Sequence, residues 1–290
     1  MSATDDFVVR PGKPFRLADH DPADTGKVDK QEGAKRLDAA RDRMRELQEK
    51  LFAQNEWALL IVFQAMDGAG KDSTIEHVFK GVNPAGCQVF SFKSPSSEEL
   101  DHDFLWRTSR CLPERGRIGV FNRSYYEEVL VVRVHPEYLD GEKLPRGLIT
   151  KKIWSERFED INAFERYATR QGIAIVKFFL NVSREEQRER FLARLDEPEK
   201  NWKFSVEDCS KRSLWDKYME AYEDMIANTS TDHAPWYVIP ADKKWFMRAA
   251  VAETLVSVME SLDLKFPTVG AKQKKELEEA RALLTGEKKS

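Results

Sequence analysis

The spacing of apolar residues predicts alternating helices and buried strands. Within residues 30–54, apolar side chains recur at spacings of seven, three and four, which is typical of an amphipathic helix. Residues 57–63 form an uninterrupted apolar run, as expected of a strand buried on both faces. Further apolar runs predict four more strands, at residues 87–92, 118–121, 173–180 and 236–239.

Helical patterns separate these runs, and this order predicts the fold class. Five buried strands with intervening helices imply a parallel sheet covered on both sides, a three-layer α/β/α architecture. Right-handed crossovers then bring the loops that follow the strands to one edge, where ligands bind. We expect a main domain over residues 31–266, preceded by an arm (1–30) that is irregular or lies along the body and followed by a charged tail (267–290).

Composition and charge exclude several classes of protein. The 290 residues include 47 lysines and arginines against 50 aspartates and glutamates, so the net charge is −3 and any basic site must be local. The longest apolar run is too short to span a bilayer, and the N-terminus is polar and acidic. Three cysteines without a C-x-x-C pair favour a reducing compartment. We expect a cytoplasmic protein without membrane or nucleic-acid partners.

A glycine-containing loop joins the first strand to a helix. Residues 65–72, AMDGAGKD, are similar to the phosphate-binding pattern G-x-x-x-x-G-K-[ST], in the strand-to-helix context that it requires. Inward-facing N–H groups, the helix N-terminus and the lysine would bind phosphate. Ala65 and Asp72 depart from the pattern, and a turn without a ligand is the alternative. The candidate phosphate-binding residues of the loop are Gly68, Ala69, Gly70, Lys71 and Asp72.

An acidic residue inside this loop points to a metal ion. Asp72 lacks the hydroxyl that normally holds Mg²⁺, whereas Asp67 places a carboxylate near the phosphates. Phosphate repels such a carboxylate unless a divalent cation lies between them. We therefore expect Asp67 to hold the metal, directly or through water; hydrogen bonding to loop amides is the alternative.

The third predicted strand ends beside the loop in Asn122 and Arg123. Asn122 stands where an ordinary Walker B site has aspartate, and its carbonyl oxygen could ligate the metal or position its water. Arg123 offers a fork-shaped phosphate donor. Pairing of Arg123 with a carboxylate at the sheet edge is the alternative interpretation.

Taken together, these motifs resemble the polyphosphate kinase 2 family. The family loop, G/A-x-D-x-x-G-K, is similar to residues 65–71, and its second motif is similar to residues 121–135, FNRSYYEEVLVVRVH. Residues 183–204 are similar to its lid, and residues 93–95 to a shorter motif. The resemblance covers about residues 7–266.

The resemblance implies a P-loop kinase-like fold with a helical lid at about residues 184–210. It implies phosphoryl transfer between inorganic polyphosphate and a nucleotide with Mg²⁺, Mn²⁺ being a further candidate. The motifs are similar to the class III subgroup, which phosphorylates AMP and ADP; guanine nucleotides are further candidates. Asp67, Lys71, Asn122 and Arg123 would be catalytic, with Asp67 and Asn122 as metal ligands. Asn122 departs from the aspartate of many relatives.

The lid region carries candidate cations for polyphosphate. Arg190 and Arg194 are four residues apart, so they share one face of their helix. With Lys200 and Lys203 they would form a local basic surface on an otherwise acidic protein. The alternative is a solvated helix face on which Glu186 pairs with Arg190.

Two cations outside the lid have open roles. Lys93 follows the second strand at the ligand edge and could reach either substrate. Arg133 lies in an apolar stretch and either contacts phosphate or forms a buried ion pair.

Two other functions fit part of the pattern. An ATP-dependent nucleoside monophosphate kinase of the thymidylate kinase type also has aspartate before G-x-G-K. Asp72 and residues 200–204, however, differ from the corresponding sequence of that kinase type. A non-catalytic P-loop nucleotide sensor would bind without turnover. We predict a reversible polyphosphate-dependent phosphotransferase that makes ADP or ATP and assembles as a homodimer or homotetramer.

Overall fold

The computed structural model describes residues 6–203 and 206–286, with the backbone alone described at residues 200, 202–203 and 206–209. The strands are β1 (Val8–Val9), β2 (Ala58–Gln64), β3 (Cys87–Ser91), β4 (Ile118–Asn122), β5 (Ile173–Asn181) and β6 (Trp236–Pro240). The α-helices are α1 (Lys30–Gln54), α2 (Lys71–Val78), α3 (Ser97–Leu100), α4 (Trp106–Ser109), α5 (Val131–Val134), α6 (Ile153–Arg170), α7 (Arg184–Asp196), α8 (Val206–Ser213), α9 (Trp215–Thr229), α10 (Lys244–Ser261) and α11 (Ala271–Gly286).

The strands form one mixed sheet in the order β1-β6-β5-β2-β4-β3. Strands β2 to β6 are parallel neighbours and lie where the apolar runs predict them. The predicted count of five is wrong, because β1 adds a sixth, antiparallel strand at the edge of β6. A strand of two residues is too short to produce a detectable alternation of apolar and polar positions.

The N-terminal arm lies along the body of the protein. Beyond β1, the backbone N–H of Leu17 donates to Glu223 Oε2 at 2.7 Å. The Asn181 side chain donates to the carbonyl oxygen of His20 at 2.8 Å. Of the two arrangements expected for the arm, irregular or lying along the body, these contacts correspond to the latter.

Helices cover the sheet in two groups. Helix α10 packs against α1, α2, β5 and β6, whereas α6 packs against α9 and β5. Every residue of β2 is buried, as the uninterrupted apolar run predicts for a central strand. Helix α11 is exposed along its whole length. Within the described ranges, none of the helices combines the length and apolar character that crossing a bilayer requires.

The register of the central strands sets the position of the site. Phe63 of β2 and Ser91 of β3 both pair with Asn122 of β4. The three strands therefore end at the same level, and the loops that follow β2 and β4 meet there.

Candidate functional site

The loop after β2 turns at two glycines that have positive φ values. Gly68 and Gly70 have φ values of 83° and 103°, a region that side-chain-bearing residues rarely adopt. A Cβ atom on Gly68 would lie 2.7 Å from the Phe191 ring of α7. Glycine at position 68 therefore provides both the turn and the space that α7 needs to pack against the loop.

Lys71 begins α2 and turns back over the loop. Its Nζ donates to the carbonyl oxygen of Ala65 at 2.7 Å, and the side chain is buried. Burial lowers the pKa of Lys71 to about 8, and Arg123 lowers it further while Asp67 opposes this. The ammonium group is thus held at the loop at neutral pH, within reach of an anion bound there.

Asp67 lies at the centre of a group that we call the Asp67 cluster, formed by Asp67, Arg123, Glu127, Lys211 and Tyr218. Asp67 Oδ1 accepts from Arg123 Nη2 at 2.5 Å, and Oδ2 accepts from Lys211 Nζ at 3.1 Å. Burial alone would raise the pKa of Asp67, but Lys71, Arg123 and Lys211 lower it to about 2. The carboxylate is therefore ionised across the physiological range.

Arg123 is held in an uncommon backbone conformation. Its φ is 64°, and its backbone N–H donates to the Phe63 carbonyl oxygen at 3.1 Å. Glu127 lies 3.8 Å from the guanidinium group. Burial disfavours the cation, but Glu127 and Asp67 raise the pKa of Arg123 above its usual value. Non-glycine residues with such a backbone are rare and often functional.

Asn122 and Asp72 contact each other across the strand ends. The Asn122 amide donates to the carboxylate of Asp72 and, at 3.4 Å, to the Ser91 hydroxyl. This bond engages the Asn122 nitrogen, so the side chain's carbonyl oxygen is the atom that could serve as a ligand.

Arg190 lies beneath the loop with its side chain 7% exposed. Its Nη1 donates to the carbonyl oxygens of Gly68 at 3.2 Å and Ala69 at 2.7 Å, and its Nη2 to those of Ala241 and Asp242. Its Nε donates to Glu186 at 2.7 Å, the pairing named as the alternative. These contacts tie α7 to the backbone of the loop.

Arg194 has different surroundings from Arg190, although the two lie on the same helix. The Arg194 guanidinium lies 5.6 Å from the centre of the Phe191 ring and is partly exposed. The side chains of Lys200 and Lys203 lie outside the described residues. Arg190 is thus the lid cation for which contacts with the loop are described.

The two cations outside the lid have different surroundings. Lys93 is exposed, and its carbonyl oxygen accepts from Arg107 Nη1 at 2.8 Å. Arg133 Nη2 pairs with Asp224 Oδ2 of α9 at 2.6 Å, but Asp224 is 48% exposed, so this is not the buried ion pair that was one of its two expected roles.

Several side chains of the site are not indicated by the sequence pattern: one from α7, one from α8 and two from α9. Gln187 donates to the Asp67 carbonyl oxygen at 2.7 Å, and Lys211 pairs with its carboxylate. Tyr218 and Tyr222, four residues apart on α9, line the same small cavity as Asp67. The two tyrosines, at helical spacing, are the feature of the sequence that could have indicated these residues. No sequence pattern indicates Lys211, which only the fold brings to the site.

The donors present fit a hard divalent cation. Asp67, Glu127 and Asn122 supply carboxylate and amide oxygens, which Mg²⁺ prefers. Among the described residues there is no cluster of three or more His, Cys, Asp or Glu side chains arranged to hold a metal. Substrate phosphates would have to complete the coordination, as is usual for Mg²⁺ at phosphoryl-transfer sites.

Two cavities flank the segment that follows β4. The Asp67 cluster surrounds a cavity of about 20 Å³, enough for about one water-sized atom. A cavity of about 230 Å³ lies beside Glu128, the residue next to Glu127, with Phe104 and Leu100 among its walls. Glu128 and Glu142 both bond there to Arg157.

Comparison with known proteins gives a consistent set of relatives. The sequence model of the family "Polyphosphate kinase 2" matches residues 27–267. The ADP-polyphosphate phosphotransferase of Rhodopseudomonas palustris is 50% identical over 282 residues, covering 94% of this chain and 98% of the relative. The AMP/ADP-polyphosphate phosphotransferase of Meiothermus ruber is 44% identical over 263 residues, covering 90% and 94%. The crystal structure of polyphosphate kinase 2 from Arthrobacter aurescens superposes with a TM-score of 0.86 at 42% identity, covering 96% and 95%.

Proposed function

The chain belongs to the polyphosphate kinase 2 family, and on this premise we propose that it transfers a phosphoryl group between inorganic polyphosphate and AMP or ADP. The observation that carries the proposal is the meeting of Lys71, Arg123 and Lys211 around Asp67 at the end of the sheet. Three cations and one carboxylate suit a pair of phosphate groups that share a metal. The nucleoside monophosphate kinase and the sensor are not favoured by the relatives.

Catalysis in this reaction is mainly positioning and neutralisation of charge. Lys71 and the loop amides would hold the phosphates at the transfer point. Arg123 would bind the acceptor phosphate with its guanidinium fork, since its backbone and Glu127 fix its orientation. Removing one such group from a phosphoryl-transfer site costs about 100- to 1,000-fold in rate.

A divalent metal is general for this class of enzyme, and we assign Mg²⁺ to Asp67 and Asn122. The ion would supply positive charge between donor and acceptor oxygens. Asp67 is ionised and already faces cations, so it can exchange Lys211 for the metal without a change of protonation.

The polyphosphate chain would follow the basic surface of the lid. The proposed contacts are Arg194, Lys200 and Lys203 in the lid, together with Lys93 outside it. The carbonyl contacts of Arg190 support a different role, in which it positions the loop for phosphate rather than binding phosphate itself.

The larger cavity is our proposed site for the nucleoside. Apolar side chains form part of its wall, and its acidic wall can exchange hydrogen bonds with a base edge. Burial and the neighbouring Glu142 raise the pKa of Glu128 well above its usual range, and Glu142 Oε1 is buried without a hydrogen-bond partner among the described residues. Glu127, the neighbour of Glu128, lines the smaller cavity, so both parts of a nucleotide would lie along one segment.

A matrix of donors and acceptors tests the function. AMP, ADP, GMP and GDP are each incubated with polyphosphate or ATP, with Mg²⁺, Mn²⁺ or EDTA, and products are separated by chromatography. We expect ADP and ATP to form from polyphosphate only with metal. Turnover with ATP but not polyphosphate would identify a nucleoside monophosphate kinase, and binding without turnover a sensor. Sedimentation of the same sample tests the predicted dimer or tetramer.

A further inference from the structure

The hydroxyl of Tyr218 is buried and has no hydrogen-bond partner among the described residues. The residue is 3% exposed, on the inward face of α9. A buried hydroxyl without a partner is costly and rare in native proteins. Phenylalanine would fill the same space, so the packing of α9 does not explain the oxygen atom.

The hydroxyl faces the cavity at the centre of the Asp67 cluster. Tyr218 lines this cavity together with Asp67, Arg123, Glu127 and Lys211. Asp67 is engaged by the two cations, and Glu127 lies beside Arg123. The unpaired atom therefore belongs to a side chain that shares this cavity with two cations, and the charge of Arg123 acts on it.

The hydroxyl is protonated at physiological pH, so it can donate a hydrogen bond. Burial raises the pKa of Tyr218 above its usual value, and the carboxylates Glu127 and Asp67 raise it further. A protonated phenol beside two cations suits an acceptor that carries negative charge. Phosphoryl oxygens meet this description, and the cavity of about 20 Å³ has room for about one atom of that size.

We propose that Tyr218 is a substrate-binding residue whose hydroxyl donates a hydrogen bond to a phosphoryl oxygen held by Arg123 and Lys211. The identity of the ligand rests on the proposed function, whereas the unpaired donor is independent of it. The hydroxyl would thus be satisfied only in the complex, and the free protein would bear the cost of leaving it unpaired.

The variant Tyr218→Phe tests the proposal because it removes one oxygen atom and keeps the ring. Tyr167→Phe, in α6 and 62% exposed, is the matched control. Thermal unfolding is followed with and without inorganic tripolyphosphate, and initial rates are measured with polyphosphate and ADP. For Tyr218→Phe we expect an unchanged or higher Tm without ligand, a smaller shift with tripolyphosphate, and kcat/KM lower by about 10- to 100-fold. The control should match the wild type throughout.

A structural role for the hydroxyl predicts the opposite sign in the free protein. A lower Tm without ligand, together with an unchanged tripolyphosphate shift, would overturn the proposal. So would wild-type kinetics, or a wild-type protein that tripolyphosphate does not stabilise. If tripolyphosphate stabilises the wild type and the variant less, but no phosphoryl transfer occurs, the proposed function fails and the binding role of Tyr218 stands.

Discussion

Two clusters of charged and tyrosine side chains adjoin the segment that follows β4, and they differ in how completely they are paired. In the Lys177 cluster, formed by Lys177, Glu165, Tyr125, Tyr126 and Thr229, the ammonium group donates three hydrogen bonds. They go to Tyr126 Oη at 2.8 Å, Glu165 Oε2 at 2.6 Å and the Thr229 carbonyl oxygen at 2.7 Å. Both tyrosine hydroxyls donate to Glu165 at 2.8 Å.

The Asp67 cluster contains similar groups but leaves a donor unpaired. It holds a tyrosine hydroxyl that has no partner within residues 6–203 and 206–286 as described, and side chains of Arg123 and Lys211 that are each 31% exposed. The Lys177–Glu165 pair, in contrast, has no exposed side-chain surface. The saturated cluster has no capacity for a ligand and anchors the segment that presents Arg123, whereas the unsaturated cluster retains donors for one.

The largest expected effect is a loss of stability on removal of the cation of the Lys177 cluster. Lys177→Met leaves the Glu165 carboxylate buried without its cation, which we expect to lower the free energy of unfolding by about 3–5 kcal/mol. Urea denaturation measures this. Adding Glu165→Gln removes the unpaired charge and should restore a large part of the stability. A single variant as stable as the wild type would contradict the role assigned to this cluster.

Lys71→Met should affect activity rather than stability. Burial already disfavours the charged form of Lys71, so its removal should leave urea denaturation nearly unchanged. We expect kcat/KM with polyphosphate to fall by about 100- to 1,000-fold. Lys80→Met, an exposed lysine just beyond α2, is the control. Activity of Lys71→Met within tenfold of the wild type would remove Lys71 from the site.

The depressed pKa of Lys71 predicts how anion binding varies with pH. The cation is present below about pH 8 and is lost as the pH rises through that value, earlier than for an ordinary lysine. Tripolyphosphate affinity, measured by calorimetry, should therefore weaken above this pH by at most about tenfold per pH unit. The decline should be absent in Lys71→Met. An equal decline in that variant would assign the titration to another group.

The smallest expected effect is a change in the steady-state kinetics of Lys211→Ala. Lys211 is partly exposed, so its bond to Asp67 contributes little to stability. We expect KM for polyphosphate to rise by about 3- to 10-fold, while kcat changes by less than about twofold. Lys217→Ala, an exposed lysine of α9, should leave both constants unchanged. A larger loss in kcat would place Lys211 at the transferred phosphoryl group.

Features determined by local sequence were predicted, and those determined by long-range contacts were not. The five parallel strands follow from apolar runs, and the turn between β2 and α2 follows from its glycines. Phosphate binding by that turn stays a prediction. Lys211 meets Asp67 across 144 positions, a contact that no local pattern contains. The spacing of Arg190 and Arg194 predicts a common helix face, but the neighbours of that face decide that Arg190 is buried and Arg194 partly exposed. The roles of the individual site residues stay predictions.

The two edges of the sheet have unequal capacity for strand addition. One edge ends in β1, whose two residues are too few to template another strand. The other ends in β3, where Val89 is 52% exposed and the outer ladder has no partner strand in the described ranges. With one usable edge per molecule, edge-to-edge association closes after two copies and cannot propagate into a filament. Among the described residues, the short β1 thus leaves β3 as the edge with the longer open ladder.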